Sequence, residues 1–120
     1  KTLNEFLSTK LIDRIIASQL VMREKRFTAR LKPSDVFDEY KGVKTDVTVI
    51  IQGAVDLAFV EDGKLVIVDY KTDRVKDITK LAGLYKKQLY LYKSAMEQSE
   101  ELTVKECILC SIHLGAYITV

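Results

Sequence analysis

Residues 49–71, VIIQGAVDLAFVEDGKLVIVDYK, hold two runs rich in Val and Ile on either side of Asp62-Gly63. An Asp-Gly dipeptide between such runs is a strong short-range hairpin signal, because a type I′ turn needs positive φ at both central residues. The runs Asp46–Val60 and Lys64–Tyr70 are therefore expected to pair as antiparallel strands. With Asp62 and Gly63 at the centre of the turn, Glu61 faces Lys64 and Asp56 falls opposite Asp69. Directly opposed residues share a face with Cβ atoms about 4.5–5.5 Å apart, and Lys71, two residues beyond Asp69, returns to that face.

Like charges in that position destabilise a sheet, so the pair calls for a cation. Lys71 supplies one charge, and two carboxylates at this spacing also suit a hard divalent ion with oxygen ligands, Mg²⁺ or Mn²⁺. Such an ion activates water and polarises a phosphoryl oxygen, the chemistry of metal-assisted phosphodiester hydrolysis. Lys71, its pKa lowered by burial or by the metal, would orient or deprotonate the water or stabilise developing charge. The run Leu65–Val68 before Asp69 is continuously apolar, which implies burial on both faces, where an unpartnered carboxylate is costly.

The rest of the chain surrounds this hairpin with ordinary elements. Leu3, Phe6, Leu7, Leu11, Ile12, Ile15, Ile16 and Leu20 recur at helical spacing and predict an amphipathic helix over Leu3–Met22. Phe27, Ala29 and Leu31 alternate with polar residues as a strand, broken at Pro33-Ser34-Asp35 and followed by a loop to Thr45. A second helix is expected over Asp77–Gln98, then final strands Val104–His113 and Ala116–Val120 joined near Gly115. Tyr85, Gln88 and Tyr92 share one stripe of that helix. The tyrosines read as core with hydroxyls near its edge, whereas the Gln88 amide needs hydrogen-bond partners.

Composition adds bounds. A chain of 120 residues with 48% hydrophobic and 30% charged residues is sized for one globular domain, and nothing in it suggests disorder. No apolar run approaches a membrane span, no signal-peptide pattern opens the chain, and a cytoplasmic setting without membrane partners is expected. A net charge of +2 does not by itself point to nucleic acid, but Lys71, Arg74, Lys76, Lys80, Lys86, Lys87 and Lys93 cluster after the hairpin as a phosphate track or a solvated helix face. Cys107 and Cys110 form a CxxC on a strand, where residues three apart point to opposite faces; they read as reduced core cysteines. His113 reads as a strand residue near a turn.

The segments together resemble the RecB-type nuclease domain of the PD-(D/E)xK superfamily, in particular the C-terminal nuclease module of AddA (RexA)-type subunits of bacterial ATP-dependent helicase-nucleases. Gly53–Asp56 matches its GxxD element, Asp69-Tyr70-Lys71 its DYK element, and Tyr85, Gln88, Leu89 and Tyr92 its YxxQLxxY element. Arg23, Glu24 and Phe27 match an RExxF segment that precedes the first strand, so the resemblance covers roughly residues 21–120.

The resemblance implies an α/β, restriction-endonuclease-like core, a mixed central sheet flanked by helices in the order α-β-β-β-α-β. It implies a deoxyribonuclease, of exonuclease type, acting within a helicase-nuclease on DNA double-strand breaks for recombinational repair, beside an AddB-type partner and the helicase part of a parent chain. Asp56, Asp69 and the Tyr70 carbonyl would ligate Mg²⁺; Asp56, Asp69, Lys71 and Gln88 would be catalytic; Gln88, Tyr92 and Lys87 would contact DNA. Members of this group usually carry a further metal-ligating His well upstream, and His113 does not match it. Residues 1–120 are accordingly expected to be one nuclease domain and a C-terminal fragment of a larger protein. A catalytically incomplete module that binds DNA or a partner subunit stays open as the alternative. A Cas4-type exonuclease is disfavoured, since that group carries four cysteines and the chain has two.

Overall fold

The computed structural model describes residues 10–120. Helix α1 (Lys10–Ala17) leads into β1 (Val21–Leu31), a single helical turn α2 (Pro33–Val36), a 3₁₀ turn (Asp38–Tyr40) and the long strand β2 (Val49–Glu61). Then come β3 (Lys64–Lys71), helix α3 (Ile78–Glu100), β4 (Val104–Ser111) and β5 (Ala116–Thr119). The five strands form one sheet in the order β1-β2-β3-β4-β5. All neighbours are antiparallel except β3 and β4, whose parallel pairing needs a crossover that α3 supplies. The architecture is the expected mixed α/β sheet, and β4 and β5 are the two expected final strands, one more than the order α-β-β-β-α-β counts.

The Asp-Gly turn forms as its chemistry requires: φ is +54° at Asp62 and +74° at Gly63, with Glu61 paired to Lys64. Leu65, Val66, Ile67 and Val68 are all fully buried, as the unbroken apolar run implied. Leu65 and Ile67 face α3 with Val55, Ala95 and Met96, while Val66 and Val68 join Leu11, Leu57, Phe59 and Ile108 on the α1 face. Each such side chain contributes about 1.5–3 kcal/mol relative to exposure. β3 is therefore the spine of both cores.

Several boundaries differ from expectation. The N-terminal part of the expected helix, Leu3–Thr9, lies outside the described residues, and the helix stops at Ala17 rather than Met22. Ser18 ends it: its hydroxyl donates to the carbonyl of Val60 at 2.7 Å, lies 2.9 Å from that of Leu20 and accepts from the Leu20 amide. Val21 and Met22 then begin β1, which places Arg23, Glu24 and Phe27 inside the first strand rather than before it. Ile16 and Leu20, expected on the buried stripe, are exposed. β4 ends at Ser111, so His113 is an exposed turn residue and not a strand residue.

The two cysteines are buried on opposite faces, Cys107 toward α3 and Cys110 toward α1. Burial pushes their thiols up to about 11 and 12. Neither is placed to share a metal or to react as a thiolate.

Candidate active site at the open end of the hairpin

The β2–β3 ladder runs through five pairs, from Glu61 with Lys64 to Leu57 with Val68, and then opens. Asp56 and Asp69 are not a ladder pair. The Tyr70 amide instead donates to Asp56 Oδ2 at 2.7 Å, so a side chain crosses the gap where a backbone carbonyl would have done so. Beyond this point β2 stays with β1 alone, while β3 stays with β4 through Lys71. The two acids sit in the fork.

A kink in β2 and its neighbour sets the fork. Met22 and Phe27 belong to one cluster against α3, and so do Ala58 and Val55, which strict alternation along a strand forbids. The exchange of faces occurs where Glu24 would meet Asp56: φ is +46° at Glu24, and the pairing of β1 with β2 skips this step. Such irregularities re-aim side chains next to functional sites. Nothing in the residue types at Glu24 announces it, and the motif letters Arg23-Glu24 are the sole signal in the sequence.

Gly53 owes its place to Phe27. The two are paired across β1 and β2, and a Cβ on Gly53 would lie 2.8 Å from Phe27 Cζ. Tyr92 of α3 meets the same ring edge-on, with centroids 5.3 Å apart. Three sequence motifs thus meet in one hydrophobic plug behind the acids, and Tyr92 is part of it.

Asp69 is only 4% exposed and faces α3. Burial, then the neighbouring Asp56 carboxyl, raises its pKa to about 6 against the opposing pull of Lys71. Lys71 Nζ lies 3.0 Å from Asp69 Oδ2 but outside hydrogen-bond geometry, leaving that oxygen buried without a donor. The ammonium donates instead to Gln88 Oε1 at 2.9 Å, and it stands 4.2 Å from the centroid of the Tyr85 ring. Burial pulls the Lys71 pKa down, yet the contact and charge of Asp69 with the fields of Tyr85 and Tyr92 outweigh it, so the pKa is raised. The expected downward pull of burial is present but outweighed, because the neighbours around Lys71 favour a cation.

Two adjacent carboxylates and an orphaned buried oxygen fit a hard cation with oxygen ligands. Among the described residues no third His, Cys, Asp or Glu joins them.

Asp56, Asp69, Lys71 and Gln88 are thus brought together, with the Tyr70 amide of β3 bonded across to Asp56. Lys87 is not with them. It is exposed, 3.8 Å from Asp38, and lines a groove with Lys41, Lys86 and Tyr90 on the outer side of α3. The basic run divides accordingly, Arg74, Lys76 and Lys80 staying exposed where the chain leaves β3 and enters α3. Asp73, two residues past the DYK element, accepts hydrogen bonds from the Tyr85 hydroxyl.

Comparison with known proteins agrees with the motifs. The PD-(D/E)XK nuclease superfamily profile matches residues 4–116. The chain is 31% identical over 118 residues, 97% of its length, to the A-subunit of the ATP-dependent helicase/nuclease of Clostridium acetobutylicum. It is 32% identical over 117 residues to the protein of that name from Clostridium botulinum (strain 657 / Type Ba4), and 33% over 114 residues to that of Clostridioides difficile (strain 630). It spans 9% of the length of each of these relatives. By profile, fold and similarity, the chain belongs to the PD-(D/E)XK nuclease superfamily.

Proposed function

We propose that this chain is a Mg²⁺-dependent DNA nuclease module, of exonuclease type, within an ATP-dependent helicase-nuclease that processes double-strand breaks for recombinational repair in the cytoplasm. The observation that carries the reading is the buried, donorless Asp69 oxygen beside Asp56 and the Lys71 ammonium. Asp56 and Asp69 would hold the ion, with the Tyr70 carbonyl as a further oxygen ligand. Its chemistry, once bound, is to make water a better nucleophile and offset phosphoryl charge. Lys71 acts as a fixed cation for the charge that develops on the phosphate, and Gln88 holds it there. Tyr92 stiffens the floor of the site through Phe27. Lys87, on the outer flank, would meet a phosphate away from the reacting atoms. The relatives' name and length support a parent chain with a helicase part and a further subunit; we take that partner to be of AddB type.

A second reading has one observation in its favour. With two acids and no third ligand among the described residues, the module could bind DNA or a partner protein without cutting. Cleavage of linear DNA in Mg²⁺ by the intact protein and its Asp69→Ala and Lys71→Ala variants decides between them. The nuclease reading expects both variants to lose at least about 10³-fold in rate. Unchanged cleavage would refute it.

A further inference from the structure

Lys71 ends a flexible four-carbon stem, and its three N–H donors can rotate freely unless neighbours fix them. One neighbour is Gln88. A second is Asp69 Oδ2, 3.0 Å away, and a third is the face of Tyr85, whose ring centroid lies 4.2 Å from Nζ. An aromatic face is negative at its centre and attracts an ammonium, more strongly where water is displaced. Tyr85 is in turn held at its far end: its hydroxyl donates to Asp73 Oδ1 at 3.0 Å and Oδ2 at 2.9 Å. Asp73 lies just beyond β3, so the hydrogen bonds tie the start of α3 to the segment leaving the DYK element. Carboxylate, phenol and ammonium are in successive contact, so that each group polarises the next. The body of the ring packs with Leu81, Leu89 and Leu109, which prevents it from swinging away.

We propose that Tyr85, clamped by Asp73, is a positioning residue for Lys71: its ring face and Gln88 together hold the ammonium on the Asp69 side of the fork. The proposal rests on the reading of Lys71 as a catalytic group. Gln88 and the Tyr85 ring, both on α3, hold the ammonium from one side, and Asp69 faces it from the other. Tyr85 therefore acts on the chemical step through Lys71 and touches neither ion nor DNA.

The test compares Tyr85→Leu, which keeps an apolar body but removes the ring, with Tyr85→Phe, which keeps the ring and removes the hydroxyl. In intact protein labelled at lysine Cε, the Lys71 methylene signal, assigned by its loss in Lys71→Arg, should be displaced upfield by the ring current. Tyr85→Leu should return that signal to the position of exposed lysines and lower kcat about tenfold with KM within about twofold of wild type. Tyr85→Phe should keep the displaced signal and at least about a third of kcat. An unmoved signal and unchanged kcat in Tyr85→Leu, alongside inactive Lys71→Ala, would overturn the positioning role alone. Loss in Tyr85→Phe as large as in Tyr85→Leu would overturn the assignment to the ring face. Full activity in Lys71→Ala would overturn the underlying reading of Lys71, and the proposal with it.

Discussion

The β2–β3 hairpin carries acidic side chains at both ends, in opposite circumstances. At the turn end, Glu61 receives Arg14 Nε at 2.9 Å and Nη2 at 2.8 Å on its two oxygens, with Lys105 2.7 Å from Oε1. Glu106 beside it takes Arg14 at 2.6 Å and the Thr119 hydroxyl on its other oxygen. At the open end, Asp69 has a buried oxygen with no donor. The pKa directions follow: Arg14, then Lys105, holds Glu61 down at about 2, whereas burial and Asp56 push Asp69 up to about 6. One cluster is satisfied and joins α1 to the sheet. In the other, Asp69 is buried beside a second carboxyl with one ammonium 3.0 Å away, and the proposed cation site rests on that difference.

The largest effect should come from breaking the open end. Asp56→Ala, read by Mg²⁺-supported DNA cleavage, is expected to lose at least about 10³-fold, since the buried Asp69 carboxylate alone makes a poor cation site. Gln88→Leu should be milder, about tenfold in kcat, because Lys71 keeps its charge and loses one orienting acceptor. Cleavage rates under saturating DNA separate the two.

Breaking the turn end should spare chemistry and cost stability. Arg14→Ala removes the bidentate contact and strands Glu106, and should lower unfolding free energy by about 1–2 kcal/mol, discounted for partial exposure. Its activity per folded molecule should match wild type in chemical denaturation and rate assays run together. Gly53→Ala probes the floor between the ends and should cost about 1–3 kcal/mol, because Phe27 is pinned by Tyr92 and cannot yield to the new methyl.

The pH dependence distinguishes the ends by sign. Glu61, with a depressed pKa, contributes stability above about pH 4 that is lost as pH falls toward 2. Asp69 runs the other way. Without divalent ions the folded state binds its proton more tightly than the unfolded chain, so stability falls as pH rises from about 4 through 6. Asp69→Asn should therefore stabilise the metal-free protein at pH 8 by about 1 kcal/mol, with the gain vanishing below about pH 4. Urea denaturation at the two pH values checks it.

Much of this contrast is legible in the residues. Asp62-Gly63 determines the register, and the unbroken Leu65–Val68 run places β3 at the centre of the sheet. The alternating faces of Cys107 and Cys110 likewise follow from period two. The fork itself is not legible. Extending the register predicts Asp56 opposite Asp69, but positive φ at Glu24 and a side-chain bond to the Tyr70 amide replace the ladder there. Such a kink depends on tertiary packing of Phe27 and Val55 against α3, which no local propensity encodes. The Arg14 clamp is equally hidden, because its partners lie 47 and 92 residues away. For Lys71, burial can be inferred from the apolar run, while Asp69 and the tyrosines that outweigh its pull become neighbours only in the fold.

Whether the unsatisfied acids at the open end hold a divalent cation can be decided by isothermal titration of Mg²⁺ into the intact protein and its Asp69→Ala variant, with Arg14→Ala as the turn-end control. A binding event should be present in wild type and Arg14→Ala and absent in Asp69→Ala. Equal Mg²⁺ binding by Asp69→Ala and wild type would rule out the open end as the cation site.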